Sequence, residues 1–378
     1  MERPDVLNVG IIGTGMAFER LHLPAYQELG DKFRIAALCD QDREKARDWA
    51  GRLGLSEEDV YSDYRELARR DDLQVIDIMV PIELNYKVTA GVAEVVSGRN
   101  KPPAIIGEKP LAPTLEQAKA HRELAKKYGI PILIAENYRY NEDVNILRDL
   151  VREGHTGETA YFLYHRAQDF PAEMRQDTFA AKEWRQHPEF PGGIFYDSGV
   201  HDMAALRHIF GGIDEVFAFG RHQDSTLGQL AVVQVNLRFL SGLTGQYTFY
   251  AGGRELIDPP AGFRIIGDKG QIYQADRYAG VIHLTYADGS SREISYRPQR
   301  GFYNELLNLY NAYTGKEPIA VTPEMAFGDA KTIFAILESL AEGVPIPVDE
   351  KPSYTPDYQS AYGQQETGQL EKVDPHIP

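Results

Sequence analysis

The segment PGGIFYDSGVHD, residues 191–202, places an acid and an imidazole four residues apart. At that spacing Asp197 and His201 would share one face of a helix. A histidine beside a carboxylate suits general acid–base chemistry, because a histidine pKa lies near neutral and the carboxylate orients the ring. The pair could also be half of a metal site, or an ordinary helix start with a buried histidine. A metal site is less favoured, because no cysteine pair or second histidine cluster accompanies it.

A second candidate is the segment GEKPLAP, residues 107–113, which contains Glu108, Lys109 and Pro110. It lies at the exit of a predicted strand, and the carboxyl ends of parallel strands are where such sheets bind ligands. Lys109 could donate a hydrogen bond to a substrate oxygen and stabilise developing negative charge. On its own, the segment is more typical of a surface lysine that precedes a proline.

The segment GIIGTGMAF, residues 10–18, places glycines at positions 10, 13 and 15, at the end of another predicted strand. In a dinucleotide-binding fold, the tight turn and the close approach of the pyrophosphate both need residues without a β-carbon. Asp40 ends the next predicted strand, where its carboxylate would accept hydrogen bonds from a ribose diol and repel a 2′-phosphate. The pattern predicts nucleotide binding, with NAD favoured over NADP. The alternative is a glycine-rich turn with a capping aspartate.

The hydrophobic pattern changes after about residue 155. Before that point, strands are predicted over 6–12, 33–40, 73–81, 104–110 and 130–140, with helices ending near residue 29 and over 41–54, 85–98 and 114–129. Strands that alternate with helices imply a parallel, doubly wound sheet. After that point, long alternating segments predict a large, mostly antiparallel sheet, with helices at about 197–210, 301–314 and 323–342. The expected architecture is an α/β Rossmann domain over 1–140, an α+β domain over 141–350 and an extended arm over 351–378.

Composition and charge restrict the functional classes. The chain of 378 residues carries a formal net charge of −16, which argues against a nucleic-acid or anionic membrane partner. The single cysteine, Cys39, rules out an intrachain disulfide and is expected in the core. The amino-terminal segment lacks the apolar stretch of a signal peptide, and no apolar run approaches the length of a membrane span. A cytoplasmic protein is therefore expected.

Together these motifs resemble the glucose–fructose oxidoreductase, inositol dehydrogenase and rhizopine catabolism (Gfo/Idh/MocA) family of NAD(P)-dependent sugar oxidoreductases. The resemblance covers about residues 6–348. VGIIGTG resembles the family's opening fingerprint and GEKPLA its most specific short motif. NYRY (137–140) resembles its aromatic–Arg–aromatic segment, and GGIFYDSGVHD its Asp-x-Gly-x-His motif. YNAYTGKEPIAVTPEMA resembles its final helix pair, which packs back on the nucleotide-binding domain.

The resemblance implies a catalytic set of Lys109, Asp197 and His201. His201 would take a hydroxyl proton as hydride leaves the same carbon for the nicotinamide, while Lys109 hydrogen-bonds the oxygen and Asp197 positions the substrate. The residues implied for cofactor binding are Gly13, Gly15, Met16, Ala17, Asp40, Pro81, Asn85, Glu108, Lys109 and Asn137. The candidates for substrate binding are Lys109, Tyr138, Arg139, Trp184, Arg185, Asp197 and His201.

The chain departs from the family pattern at three positions. Phe18 stands at the third Gly/Ala position of the fingerprint, Asn85 replaces a histidine, and Ala204 replaces an aspartate, although Asp202 is close by. The expected substrate is a sugar, a glycoside or a cyclic polyol. One alternative is a relative that holds NAD tightly and uses transient oxidation for glycoside cleavage or internal hydride recycling. The other is a non-catalytic, nucleotide-sensing protein.

The resemblance also implies a homodimer or homotetramer that assembles through the antiparallel sheet. Exposed apolar sheet faces commonly mark such interfaces. The exposed face is expected to carry Val232, Val235, Phe249 and Tyr250.

Overall fold

Two β-sheets organise the residues that this computed structural model describes, which are 6–179, 188–222, 230–252 and 262–349. The arm predicted over 351–378 and the candidates Trp184 and Arg185 lie outside the described residues. None of the described helices combines the length and hydropathy that a membrane span needs.

The first sheet contains six parallel strands and confirms the predicted doubly wound arrangement. Its strands are β1 (Leu7–Ile12), β2 (Phe33–Cys39), β3 (Val60–Tyr61), β4 (Val75–Ile78), β5 (Ala104–Glu108) and β6 (Ile132–Ala135). They lie in the order β3–β2–β1–β4–β5–β6, so the strand order reverses between β1 and β4. At such a reversal the carboxyl ends of the strands border a crevice in which ligands bind.

Short helices connect these strands. They are α1 (Leu23–Glu28), α2 (Arg43–Leu53), α3 (Tyr64–Ala68), α4 (Ile82–Val96), α5 (Leu115–Arg122) and α6 (Leu124–Tyr128), with a π-helix over Phe18–His22 and 3₁₀ turns over Glu57–Asp59 and Asn137–Tyr140. Two predicted helix ends agree with the structure. The Thr114 side chain accepts a hydrogen bond from the Gln117 N–H and caps α5, and Gly54 ends α2 with a φ of 73°.

Two features of this sheet differ from the sequence prediction. The strand β3 was not predicted, because two residues are too few to show a periodic pattern. The strand predicted over 130–140 ends at Ala135 instead. Glu136 follows it, and its side chain accepts a hydrogen bond from the Tyr138 N–H at 3.2 Å. That local bond caps a 3₁₀ turn where the apolar pattern suggested a continued strand.

The second sheet has nine strands and is mostly antiparallel, as predicted. Its strands are β7 (Thr159–Ala167), β8 (Ile213–His222), β9 (Leu230–Phe239), β10 (Thr244–Tyr250), β11 (Gly262–Gly267), β12 (Gly270–Gln274), β13 (Val281–Tyr286), β14 (Ser291–Ser295) and β15 (Ile346–Pro347). Their order is β14–β13–β12–β11–β7–β10–β9–β8–β15, and β7 and β10 form the parallel pair. The strands β14 and β15 were not predicted.

The remaining described helices are α7 (Glu142–Arg152), α8 (Phe170–Glu173), α9 (Ile194–Phe210), α10 (Gly301–Thr314) and α11 (Pro323–Glu342). The helix α9 begins three residues before the predicted start at 197, which places Asp197 in its first turn. Gly192 and Gly193, with φ angles of 81° and 49°, turn the chain into this helix.

Helices cover one face of the second sheet. The prediction that Val232, Val235, Phe249 and Tyr250 all lie on the exposed face is therefore partly wrong. Val235 and Phe249 are buried, and Phe249 packs edge-on against Phe195 of α9 at 5.5 Å between ring centroids. Val232 and Tyr250 alternate with them and are half-buried. Because side chains alternate along a strand, the four predicted residues divide between the two faces. The exposed large apolar residues of this sheet are Tyr161, Leu163 and Phe219.

The helix α11 contacts both sheets. At its start, the Val321 carbonyl accepts a hydrogen bond from the Ile134 N–H in β6 at 3.1 Å. Near its end, the Ser339 hydroxyl accepts one from the Ala218 N–H in β8 at 3.0 Å. The helix therefore joins the first sheet to the second beside the crevice.

Candidate active site

A cavity of about 1850 Å³ opens at the carboxyl ends of the parallel strands. Most of the predicted site residues line it, although they come from separate parts of the chain. The predicted residues on its wall are Gly13, Gly15, Met16, Ala17, Asp40, Pro81, Glu108, Lys109, Asn137, Tyr138, Asp197 and His201. The second sheet contributes Tyr164, Arg166 and Gln274 to the same wall.

The glycine turn after β1 is restricted by the protein's own backbone. Gly13 has a φ of 94°, and a β-carbon there would lie 2.1 Å from the Met79 carbonyl oxygen. Gly15 is open by contrast, since the nearest atom to a β-carbon would be the Lys45 Nζ at 3.7 Å. This turn therefore presents an uncovered backbone to the cavity, as a bound pyrophosphate requires.

The structure accommodates the bulky side chain of Phe18 at the third position of the fingerprint. Phe18 is fully buried and packs edge-on against Trp49 of α2, at 5.3 Å between ring centroids. Its aromatic ring is therefore part of the packing against α2. A π-helix begins at Phe18 in place of an ordinary α-helical turn.

Asp40 lies at the end of β2, where the sequence predicted a ribose-binding carboxylate. Its Oδ2 accepts hydrogen bonds from the Thr14 N–H at 2.9 Å and the Thr14 hydroxyl at 2.8 Å. Its Oδ1 accepts one from the Asp42 N–H at 3.1 Å. Burial alone would raise the pKa of Asp40, but these hydrogen bonds together hold it below the usual value. The group is therefore an anion that retains capacity to accept from a ligand hydroxyl.

Lys109 and Asp197 are in direct contact, although they lie 88 residues apart in the sequence. The Lys109 Nζ donates to the Asp197 carboxylate at 3.0 Å and to the Asp197 main-chain carbonyl at 2.9 Å. An ammonium group has three donors, so one remains for a ligand oxygen. Asn85 does not line the cavity, contrary to the prediction. It is buried, and its side-chain amide donates to the carbonyls of Glu108 and Pro110, which holds the Lys109 turn in place.

His201 is held by a different acid from the one predicted. Its Nδ1 lies 2.6 Å from Oε1 of Glu136, and its ring stacks on Tyr138 at 4.4 Å. With Glu136 as a carboxylate, which only accepts, Nδ1 carries the shared proton and Nε2 is left as a base. Burial lowers the pKa of His201 and the Lys109 charge lowers it further, against an upward effect of Glu136. The ring is therefore neutral near neutral pH.

Arg139 also departs from its predicted role in substrate binding. It is buried away from the cavity and pairs with Asp329 of α11 at 2.6 Å. Arg207 of α9 lies 3.2 Å from the same carboxylate. The arginine therefore ties the turn after β6 to two helices.

The sequence reasoning missed Glu136 and did not predict the contacts that Asp202 makes. Glu136 follows β6 directly, so an acid at a strand's carboxyl end was the available signal. Asp202 is fully buried and accepts from Arg166 at 2.9 Å, Tyr164 at 2.8 Å and Tyr247 at 2.5 Å. It anchors α9 to the second sheet one residue after His201. These partners lie far away in sequence, so no local pattern indicated them.

The family models match both parts of the chain. The oxidoreductase family model with the NAD-binding Rossmann fold matches residues 7–135, and the GFO/IDH/MocA C-terminal domain model matches residues 144–273. YMR315W, an uncharacterised protein of Saccharomyces cerevisiae, is 27% identical over 348 residues, covering 89% of this chain and 96% of its own length. Levoglucosan dehydrogenase of Pseudarthrobacter phenanthrenivorans is 30% identical over 220 residues, covering 56% of this chain and 53% of its own.

Solved structures show the same fold. An oxidoreductase from Thermotoga maritima has a TM-score of 0.78 at 26% identity, covering 91% of this chain and 98% of its own. A levoglucosan dehydrogenase in complex with NADH has a TM-score of 0.78 at 22% identity, covering 91% and 99%. The matched models, the parallel and antiparallel sheets and the shared motifs lead to one conclusion: this chain belongs to the Gfo/Idh/MocA family of oxidoreductases and carries its NAD-binding Rossmann fold.

Proposed function

We propose that this protein is a dehydrogenase that oxidises a hydroxyl-bearing carbon of a sugar, glycoside or cyclic polyol with NAD. One observation supports this above the others. The Lys109 ammonium and the His201 ring line a single cavity with the glycine turn, and Lys109 keeps one donor for a ligand oxygen. The relative that is 30% identical over 220 residues is named levoglucosan dehydrogenase, which supports the proposed substrate class.

The residues around the cavity fit NAD. The uncovered turn at Gly13 and Gly15 would hold the pyrophosphate, and Asp40 would accept from the adenosine ribose. The negative charge of Asp40 supports NAD over NADP, because it would repel a 2′-phosphate. When bound, NAD supplies the hydride acceptor.

Residues of this chain would remove the proton of the substrate hydroxyl. His201 accepts the hydroxyl proton at Nε2, since its Nδ1 is engaged by Glu136. Lys109 donates its remaining N–H to the same oxygen and stabilises negative charge that develops there. Asp197 holds the Lys109 ammonium in position through two hydrogen bonds. The proposal thus assigns Asp197 to the lysine and Glu136 to the histidine.

The first experiment follows NADH formation by absorbance, with NAD or NADP and a panel of aldoses, inositols and glycosides. Reduction of NAD with one member of the panel is the expected result. A silent panel, together with nicotinamide released when the purified protein is denatured, would favour a relative that recycles a tightly held cofactor. A silent panel with NADH binding but no turnover would favour a sensing protein instead.

Matched variants test the residues. His201→Asn and Lys109→Met should each lower kcat by about 10²–10⁴-fold, the usual loss for a general base or an oxyanion donor. His283→Asn, at a half-buried residue of β13, and Lys269→Met, at an exposed residue between β11 and β12, alter positions outside the cavity and serve as controls. Turnover that survives both site changes would contradict the proposed roles.

We also propose assembly through the outer face of the second sheet as a homodimer or homotetramer. Tyr161, Leu163 and Phe219 are exposed apolar residues on its strands. Light scattering after size exclusion measures the mass, and Leu163→Lys should reduce it to the monomer value. An unchanged mass in that variant, or a monomeric parent protein, would remove this surface as the interface.

A further inference from the structure

Glu136, which holds His201 in the proposed chemistry, belongs to a larger set of ionisable side chains that are almost completely buried. We name it the buried acid cluster, and its members are His22, Asp77, Glu108, Glu136 and Glu305. Asp77, Glu136 and Glu305 are at most 1% exposed, and the Glu108 side chain is 12% exposed. Asp77, Glu108 and Glu305 surround the His22 imidazole at 2.8, 2.9 and 3.9 Å, and Glu136 acts electrostatically on Glu305. Charges that are buried without partners are strongly unfavourable.

Three of the four carboxyl groups each accept two hydrogen bonds. Asp77 accepts from His22 and from the Tyr26 hydroxyl, both at 2.8 Å. Glu108 accepts from His22 at 2.9 Å and from the Lys109 N–H at 3.2 Å. Each of these two carboxyl groups therefore has two donors, which favour its ionised form, although Asp77 Oδ1 has no hydrogen-bond partner among the described residues.

Glu136 is the third of these acceptors. It takes a hydrogen bond from the Tyr138 N–H at 3.2 Å, and its Oε1 lies 2.6 Å from the His201 Nδ1. Both donors meet Oε1, and Oε2 has no hydrogen-bond partner among the described residues. The anion is therefore stabilised where it can act on the histidine.

Glu305 differs from the other three. Neither of its oxygens has a hydrogen-bond partner within the part of the chain that the structure describes. The nearest cation is the His22 ring, whose Nε2 lies 3.9 Å away and already meets Glu108. Burial raises the pKa of Glu305 well above its usual value, and nearby Glu108, Asp77 and Glu136 raise it further, against the effect of His22. Tyr26 and Tyr140 also lie within electrostatic reach of this carboxyl.

The fold holds Glu305 close to the Glu136 turn. Glu305 lies on α10, whose Gly301 N–H donates to Asn141 at 2.9 Å. The Asn304 side chain donates to the Tyr140 carbonyl, also at 2.9 Å. A β-carbon at Gly301 would lie 2.3 Å from the Asn137 carbonyl oxygen, so the helix packs closely against the turn at this point. The two acids are therefore held in one electrostatic environment.

We propose that Glu305 is a neutral carboxylic acid and that the proton it carries keeps Glu136 ionised as the positioning residue of His201. Two neighbouring buried acids do not both ionise readily, so the one with donors keeps the charge and the one without donors keeps the proton. The anionic Glu136 then fixes the proton of His201 on Nδ1 and stabilises the imidazolium once Nε2 has accepted a proton. This last role rests on the proposed dehydrogenase function, whereas the protonation states do not.

Side-chain ¹⁵N NMR of the histidines tests the proposal without any substrate. The His201 signals are identified by their loss in His201→Asn, and their shifts report the tautomer and the titration midpoint. The other charged groups that act on His201 are Lys109 and Arg166, and they stay unchanged in the variants. The wild-type ring should carry its proton on Nδ1. Glu136→Gln should lower the His201 midpoint by about one to three pH units, because an adjacent negative charge is lost.

Glu305→Gln should leave the tautomer and the midpoint of His201 unchanged, since an amide replaces an acid that is already neutral. Glu317→Gln, an exposed acid just beyond the same helix, is the matched control. A midpoint that falls in Glu305→Gln as far as in Glu136→Gln would show that Glu305 is ionised and would overturn the proposal. A wild-type ring with its proton on Nε2 would overturn it as well.

Infrared spectroscopy keeps the test decisive if Glu136→Gln fails to fold. The carbonyl band of a buried, protonated carboxylic acid should be present in the wild type and absent in Glu305→Gln. Its presence in both proteins, or absence from both, would contradict a neutral Glu305. If no sugar is oxidised, both spectroscopic results still stand. If one is, Glu136→Gln should lower kcat by about 10²–10⁴-fold with little change in KM, as removal of a histidine-orienting acid does elsewhere.

Discussion

The two glycines of the turn after β1 should fail in different ways when they are changed to alanine. At Gly13 the added β-carbon would lie 2.1 Å from the Met79 carbonyl oxygen and 2.8 Å from the Met79 carbonyl carbon. Both are backbone atoms, and the Met79 N–H is bonded to the Ile12 carbonyl at 2.8 Å. No side-chain rotation relieves this overlap. At Gly15 the nearest atom would be the end of the flexible Lys45 side chain, at 3.7 Å.

The expected magnitudes follow from these contacts. An alanine at the left-handed φ of Gly13 costs about 1–2 kcal/mol, and the backbone overlap adds about 1–3 kcal/mol of strain. Gly13→Ala should therefore lower the free energy of unfolding by about 2–5 kcal/mol. Gly15→Ala should change it by less than about 0.5 kcal/mol. The matched control is Gly51→Ala in the last turn of α2, where a β-carbon meets nothing within 4 Å and should add about 0.5–1 kcal/mol of stability.

Two measurements separate the roles. Urea unfolding without nucleotide reports the free energy of unfolding, and NADH fluorescence titration reports the Kd. Gly13→Ala should lose stability and binding together. Gly15→Ala should keep its stability and lose at least about tenfold in NADH affinity, because a methyl group would occupy the place of the pyrophosphate. Gly51→Ala should bind NADH like the wild type.

Either of two results would refute the reasoning. If Gly13→Ala unfolds at the wild-type urea concentration, the turn does not pack against Met79 as described. If Gly15→Ala binds NADH with the wild-type Kd, the pyrophosphate does not approach that backbone, and the glycine turn has only a structural role.

Three further predictions concern charged residues. Asp40→Ser should weaken NADH binding about tenfold, because a hydrogen-bond acceptor for the ribose is lost. The preference for NADH over NADPH should also decrease in parallel titrations, because the negative charge is lost. An unchanged preference would contradict this prediction. Burial raises the pKa of Glu305 above its ordinary value of 4.5, so the stability that its proton provides is present at lower pH and is lost as pH rises toward the folded value. Between those two pKa values, the folding equilibrium constant of the wild type should therefore fall about tenfold per pH unit relative to that of Glu305→Gln. Urea unfolding at a series of pH values measures both constants. Parallel plots of stability against pH for the two proteins would contradict this prediction. Arg139→Met should lower the free energy of unfolding in urea by about 3–5 kcal/mol, because Asp329 is left poorly paired. Arg297→Met, which removes an exposed ion pair, should lower it by less than about 1 kcal/mol. Equal losses in the two variants would contradict this prediction.

Local patterns in the sequence were sufficient to predict the two strands that lead to the glycine turn and to Asp40. A short apolar run, a glycine cluster and a second run ending in Asp40 describe consecutive strands and their exits, and the structure has those strands at Leu7–Ile12 and Phe33–Cys39. The sheet type followed as well, because burial on both faces or on one face imposes different apolar periods. Cys39 is buried as expected, and burial raises the pKa of its thiol to about 12.

The same periodicity could not predict which face of the second sheet is covered by helices, and it could not predict the shortest strands. Val232 and Val235 belong to one apolar strand, yet an odd spacing places them on opposite faces. Which face the helices cover depends on packing with α9, a contact between Phe249 and Phe195 that no local pattern specifies.

The sequence by itself determined which residues reach the carboxyl edge of the parallel sheet, because strand ends and turns are set by neighbours along the chain. Only the tertiary structure decided their partners. Asp197 and His201 sit one helical turn apart, yet Asp197 bonds Lys109, 88 residues away, and His201 bonds Glu136, 65 residues away. The reason is geometric. Adjacent turns of a helix present side chains to a shared face, but the acid or base opposite each one is supplied by whichever strand end the fold brings across the cavity.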